Sequence, residues 1–235
     1  MKTIKECFYK KNKKLIASKW DHYLDIYEQY LSKFHNKQPT ILEVGLNRGG
    51  SLEMWNDYFE GNCTIYGVDY KKESCLDIPK KLNAENIHVE LGDQSDRKFW
   101  QSYLKNKPQF DIVIEDGGHI PIQQIVTFEE TFGNVSQNGV YICEDLHTNY
   151  WPKFDGGYGH GDTFIEYSKN FIDALHITHI LDEKSKPLKQ PENINELKKL
   201  ADMIKSVSYY DSVVVLEKAK KVNPYVVDSN DGRNK

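Results

Sequence analysis

An α/β fold, with a mainly parallel sheet covered by helices on both faces, is predicted by two features of this sequence. Short runs rich in β-branched residues alternate with segments of helical apolar spacing between about residues 19 and 145. Near the C-terminus, apolar runs at 207–210 and 213–216 are separated only by Asp211 and Ser212. A link that short cannot carry a parallel crossover, so these two strands form an antiparallel hairpin beside the parallel ones.

Residues 1–18 are polar and lysine-rich, and are expected to form a flexible basic arm. Residues 19–35 place Tyr23, Ile26, Tyr27, Tyr30, Leu31 and Phe34 on one helical face. Pro39 ends that helix and leads into a strand at 40–44, stopped by Gly45; a helix follows over 51–59. The second strand, 64–69, ends in Asp69, and the third, 87–91, is followed by a helix over 95–106. The fourth, 110–114, is followed by Glu115 and Asp116, and after a helix over 121–133 the fifth, 139–143, runs into Glu144 and Asp145. A glycine-rich loop at 155–162 then precedes helices expected over 163–175 and near 193–205, with a polar excursion containing Pro187 and Pro191 between them. The domain is expected to span 19–221, with a disordered tail over 222–235.

The 235 residues suit one domain with a full core. A hydrophobic fraction of 39% and a mean hydropathy of -0.67 exclude a membrane protein. The basic N-terminus lacks the apolar stretch of a signal peptide, so a cytoplasmic location is expected. A net charge of -4 argues against nucleic acid as the partner. Cys7, Cys63, Cys75 and Cys143 show no paired or zinc-finger spacing and are read as reduced thiols. Self-association into a homo-oligomer stays open.

In open α/β sheets, ligands bind at the carboxyl ends of the strands. The first strand leads into a run from Glu43 through Gly45, Asn47, Gly49 and Gly50 to Ser51. Gly45 permits a tight turn, and Gly49 and Gly50 let a ligand approach backbone at a helix N-terminus. A plain strand-to-helix turn would look similar, and Asn47 departs from the GxGxxG dinucleotide pattern. Asp69 suits ribose hydroxyls, while Asp93 and Gln94 after the third strand suit an adenine amino group. One such loop acid is commonly only a turn residue; three successive strand ends point to a nucleoside-containing ligand.

Asp116, Glu144 and Asp145 end neighbouring strands and converge on one cleft. Carboxylates so placed repel unless something positive lies between them, and a hard, oxygen-preferring cation such as Mg²⁺ fits. The competing reading is that they are helix caps and solvated surface. His119, in Asp-Gly-Gly-His, can reach the same cleft. A sugar hydroxyl, with a pKa of roughly 14–15, lies about 8 units above histidine, or about 11 kcal/mol uphill. A bound cation narrows that gap.

These residues carry a specific resemblance. The run ILEVGLNRGGSLEMW at 41–55, Gly67-Val68-Asp69, Gly92-Asp93-Gln94, Asp116-Gly117-Gly118-His119, EDLHTNYW at 144–151, Tyr210-Asp211-Ser212 and Glu217-Lys218 resemble the metal-dependent sugar O-methyltransferases of macrolide biosynthesis, the macrocin and mycinamicin type. The cephalosporin-biosynthesis methyltransferases are more distantly similar. The likeness covers roughly residues 19–218. It implies a Rossmann-like class I methyltransferase fold, with a seven-stranded sheet whose last strand is antiparallel. It implies S-adenosylmethionine as methyl donor, Mg²⁺ on Asp116, Glu144 and Asp145, and His119 as general base. The expected donor contacts are Glu43, Gly45, Asn47, Ser51, Asp69, Asp93, Gln94 and Asp116. A protein without the long N-terminal auxiliary domain of some members is expected.

The expected reaction is O-methylation of a sugar or sugar-containing small molecule or glycan, in natural-product or surface-polysaccharide biosynthesis. Methylation of another small polar group such as a phosphoramidate, a Rossmann-type NAD-dependent oxidoreductase or epimerase, and a non-catalytic nucleotide-binding module are the alternatives. Tyr150 and Trp151 read either as a stacking surface for the sugar or as a wedge against the core. The 155–162 loop reads equally as a lid or a surface turn.

Overall fold

The computed structural model describes residues 1–181, 191–222 and 224–227. Its strands are β1 (Thr40–Val44), β2 (Thr64–Asp69), β3 (Ile87–Leu91), β4 (Phe110–Glu115), β5 (Val135–Cys143), β6 (Ile204–Tyr210) and β7 (Val213–Lys218). They form one seven-stranded sheet in the order β3-β2-β1-β4-β5-β7-β6. The first five run parallel, and β7 is antiparallel to both β5 and β6. The expected hairpin is present, turning at Ser212 with φ 67°. Its second strand lies inside the sheet and its first is the edge. The burial explains that choice: all four residues of Val213-Val214-Val215-Leu216 are buried, whereas β6 is mostly half-buried.

Side-chain alternation gives each inner strand two apolar faces. Ile41, Ile112, Ile114, Ile142 and Val215 point to one side, and Leu42, Val44, Val113, Tyr141 and Leu216 to the other. The first face is covered by α1 (Ile4–Phe8), α2 (Asp21–Leu31), α3 (Gly50–Tyr58) and α4 (Lys72–Leu82), through side chains such as Tyr27, Trp55 and Ile78. The second is covered by α5 (Arg97–Leu104), α6 (Pro121–Thr131), α7 (Phe164–Ser168), α8 (Asn170–Leu175), α9 (Ile177–Ile180) and α10 (Ile194–Ala201), through Trp100, Phe128, Phe171 and Leu197. Among the described residues, no helix is long and apolar enough to cross a membrane.

Two segments depart from expectation. Helix α4 is not announced by apolar spacing, because only Ile78 and Leu82 are buried and Pro79 sits inside it. The N-terminal segment, expected as a flexible arm, instead contains α1, capped by a reciprocal Thr3–Glu6 box, with Ile4 and Cys7 fully buried. Two buried side chains on five residues were too sparse a pattern to read in the sequence. The excursion expected around Pro187, and the tail at 223 and beyond 227, lie outside the described residues.

Register positions the site. Val44 pairs with both Val68 and Glu115, and Glu115 pairs with Cys143. The residues that follow, Gly45, Asp69, Asp116 and Glu144, therefore emerge at one edge of the sheet. Strand order reverses between β1 and β4, so a crevice opens there.

Candidate active site

A cleft of about 760 Å³ occupies this edge, lined among others by Lys19, Gly45, Asn47, Asp69, Asp93, Gln94, Asp116, His119, Glu144 and Asp145. Gly45 is needed at its floor: φ is +87°, and a Cβ there would lie 2.0 Å from the Asp116 carbonyl oxygen. Asp69 braces the turn above. Its Oδ2 accepts from the Leu46 and Asn47 amides at 2.9 and 3.2 Å, and its Oδ1 from the Lys71 amide at 2.7 Å. Asp93 Oδ1 accepts from the amide and hydroxyl of Ser95, and the residue lines the cleft.

Of the other expected donor contacts, Gln94 lines the cleft but is bonded within the fold, and Glu43 and Ser51 do not line it. Gln94 donates to Glu115 at 2.7 Å and accepts from the Gly118 amide at 3.0 Å, so its amide group is committed to the Gly117-Gly118 turn. Glu43 is fully buried, does not line the cleft, and accepts from the Trp55 indole at 2.9 Å. Burial pushes its carboxyl up to about 7, against the pull of Lys19. Ser51, in the first turn of α3, is buried and also does not line the cleft. The motif at 41–55 thus encodes a strand–helix bond, from Glu43 to Trp55.

The acidic end is more crowded than the sequence suggests. Asp116, His119 and Asp145 each offer a ligand atom, all within 4.8 Å of one another. His119 Nε2 is 3.3 Å from Asp145 Oδ2 and 3.9 Å from Asp116 Oδ1. Both His119 (φ 58°) and Asp145 (φ 55°) adopt the left-handed conformation, which costs roughly 1–3 kcal/mol per non-glycine residue and clusters at functional sites. The Thr148 hydroxyl donates to the His119 carbonyl at 2.9 Å, pinning one of these turns against the loop that follows Asp145.

Glu144, expected as a ligand, lies outside that group, and both of its oxygens accept hydrogen bonds. Oε1 accepts from the Tyr27 hydroxyl at 2.5 Å and Oε2 from the Lys19 ammonium at 2.8 Å. Lys19 also donates to Asp116 Oδ2 at 2.6 Å, and Tyr23 donates to Asp145 Oδ1 at 2.8 Å. Burial opposes the charge on Lys19, but Asp116 and Glu144 outweigh it and hold the ammonium well above its ordinary pKa. Burial pushes Asp116 and Glu144 up, with Lys19 pulling both back. Asp116 and Asp145, with Glu144 beside them, form an oxygen donor set of the kind that fits a hard divalent cation.

Lys19, Tyr23 and Tyr27 are site residues that sequence reading missed. The two tyrosines lie on the apolar face of α2, where periodicity reports packing and is silent about the hydroxyl. Tyr150 and Trp151 do not line the cleft and are about half exposed. Trp151 reaches its rim through ring contacts, with its centroid 4.7 Å from that of His147, which lies 5.7 Å from Trp20.

No family model matches the chain. Curated relatives do. It is 33% identical over 170 residues to the 8-demethyl-8-alpha-L-rhamnosyl tetracenomycin-C 2'-O-methyltransferase of Streptomyces olivaceus, covering 68% of this chain and 43% of that one. It is 34% identical over 161 residues to the demethylmacrocin O-methyltransferase of Streptomyces fradiae, covering 63% and 38%. The solved structure of the MycE methyltransferase of the mycinamycin pathway, in complex with Mg, SAH and mycinamycin VI, superposes with a TM-score of 0.70 at 28% identity, over 84% of this chain and 49% of that one. The chain therefore spans less than half the length of the curated relatives it matches. Superposition and sequence identity agree, and the chain belongs to the sugar O-methyltransferases of the macrocin and mycinamicin type, with their class I methyltransferase fold.

Proposed function

We propose that this protein transfers the methyl group of S-adenosylmethionine to a hydroxyl of a sugar or sugar-containing acceptor. The observation that carries the proposal is the meeting of Asp116, His119 and Asp145 in the same cleft as the Gly45–Asn47 turn braced by Asp69. The turn takes the donor, with Asp93 in the cleft lining for a polar group of its nucleoside. Asp116 and Asp145, with Glu144 adjoining, are the residues assigned to a divalent cation. When bound, that cation supplies positive charge that makes the acceptor hydroxyl more acidic.

His119 receives the acceptor proton at Nε2, and the Asp145 carboxylate 3.3 Å away stabilises the imidazolium so formed. Tyr23 holds Asp145 from behind, so the carboxylate keeps one oxygen toward His119. The acceptor enters past Trp20, His147 and Trp151, whose rings offer apolar faces of the kind that pack against sugars. Relatives named for a rhamnosyl tetracenomycin and for demethylmacrocin support that class. The test is a screen of cell-extracted glycans, nucleotide sugars and glycosylated small molecules with isotope-labelled S-adenosylmethionine, read by mass spectrometry. Label on a sugar hydroxyl is expected; label confined to amino, thiol or phosphoramidate groups would overturn the proposal.

A further inference from the structure

Lys19 has a buried side chain, 3% exposed, that reaches the centre of the acidic cluster from outside it. Its ammonium lies 2.6 Å from Asp116 Oδ2, 2.8 Å from Glu144 Oε2 and 4.0 Å from Glu43 Oε1. Asp145 adds a further carboxylate on the other side of His119. One ammonium thus faces several acids, and a divalent ion at the same point would interact about twice as strongly with each. Lys19 belongs to a non-helical stretch just before α2, so it can withdraw without unravelling an element.

That stretch is also the near wall of the cleft, where Ser18, Lys19 and Trp20 line it. Its backbone rests on the start of α3, since a Cβ on Gly50 would lie 2.1 Å from Ala17 N. Leu15 anchors it in the core, and Lys10 and Lys14 bond Asp57 and the Leu82 carbonyl; its remaining anchors are hydrogen bonds near the start of α3. The Lys14 and Leu15 amides donate to Glu53 at 3.1 and 2.9 Å, and Arg48 donates to the Ser18 hydroxyl at 2.9 Å.

We infer that the Lys19 ammonium, held by Asp116 and Glu144, occupies the place of the divalent cation assigned to Asp116 and Asp145 with Glu144 adjoining, so that cation binding expels Lys19 and frees the strap of residues 10–20 from the cleft wall. Lys19 is then a positioning residue with two effects. It keeps the carboxylates assembled before loading, and it sets a threshold that the cation must exceed. The strap couples loading to opening of the side on which donor and acceptor enter. The inference rests on the proposed cation site.

Two measurements with Mg²⁺ alone test it, without donor or acceptor. Hydrogen exchange of the wild-type chain, read at the Lys14 and Leu15 amides, is expected to speed up when Mg²⁺ is added. Calorimetric titration is expected to show Lys19→Met binding Mg²⁺ at least about ten-fold more tightly than wild type. The exchange arm needs no variant and decides the matter even if Lys19→Met does not fold. Mg²⁺ binding to wild type with unchanged or slower exchange at both amides overturns the inference and leaves the cation site standing. Equal or weaker Mg²⁺ affinity in Lys19→Met also overturns it. Absence of Mg²⁺ binding in both chains overturns the inference and the cation site together.

Discussion

Asp69 is the residue whose replacement separates support of the donor loop from the chemistry beyond it. Its carboxylate is 6% exposed as a residue and accepts from three backbone amides, those of Leu46, Asn47 and Lys71. Hydrogen bonds to a charged group contribute about 1.5–3 kcal/mol each. Asp69→Ala removes all three, but water in the open cleft reaches the freed amides, so a loss of about 3–5 kcal/mol in folding stability is expected rather than the full sum. Asp69→Asn keeps one oxygen, which best serves Leu46 and Asn47, and turns its amide group against the Lys71 N–H; about 2 kcal/mol should be lost. Relaxation of the turn should also weaken S-adenosylmethionine binding by about 1.5–3 kcal/mol in Asp69→Ala, or roughly 10–150-fold. Urea denaturation and calorimetry measure the two effects, with Mg²⁺ affinity as the control that should not move. Stabilities of both variants within about 0.5 kcal/mol of wild type would refute the brace.

Three further substitutions probe independent parts of the site and its frame. His119→Ala should lower turnover by about 10²–10⁴-fold with donor affinity nearly unchanged; wild-type turnover at neutral pH would make His119 structural. Lys218 is buried and donates to the carbonyls of Gly133 and Val135 at 2.7 Å and of Phe132 at 3.2 Å, so Lys218→Met should cost about 2–4 kcal/mol in urea denaturation; a change under about 0.5 would contradict that role. Burial pushes the Glu217 carboxyl up, but Lys33 and Ser206 outweigh it and hold the group below its ordinary 4.5. Its contribution is therefore fully present above pH 4.5 and is lost as pH falls through the depressed value. Lys33→Met should flatten that acid limb by under about 1 kcal/mol, and an unchanged limb in thermal melts across pH would count against the pair.

The parts legible in the sequence are those that local pattern determines. β-branched runs stopped by glycine or acid mark strand ends, and parallel register then lines up Gly45, Asp69, Asp116 and Glu144 without further information. The two-residue link at Asp211-Ser212 leaves the hairpin no other direction. The same reasoning is blind to partners far along the chain. Tyr27 meets Glu144 across 117 positions and Tyr23 meets Asp145 across 122, yet both read only as apolar members of a helix face. Lys19 looks like one more lysine of a basic segment until folding brings it between two carboxylates. Glu43 and Ser51 stand in a loop motif that reads as ligand-binding, but one bonds Trp55 and neither lines the cleft.

Methyl transfer that depends on a cation held at the Asp116–Asp145 edge is tested most directly by single-turnover transfer from labelled S-adenosylmethionine to an acceptor found in the glycan screen. The protein is first stripped of metal, with emptiness verified by elemental analysis, and then reloaded with Mg²⁺. Transfer is expected to be absent in the stripped protein, to return on reloading, and to stay absent in reloaded Asp116→Asn. Full transfer by the stripped protein in excess chelator would contradict the cation's role.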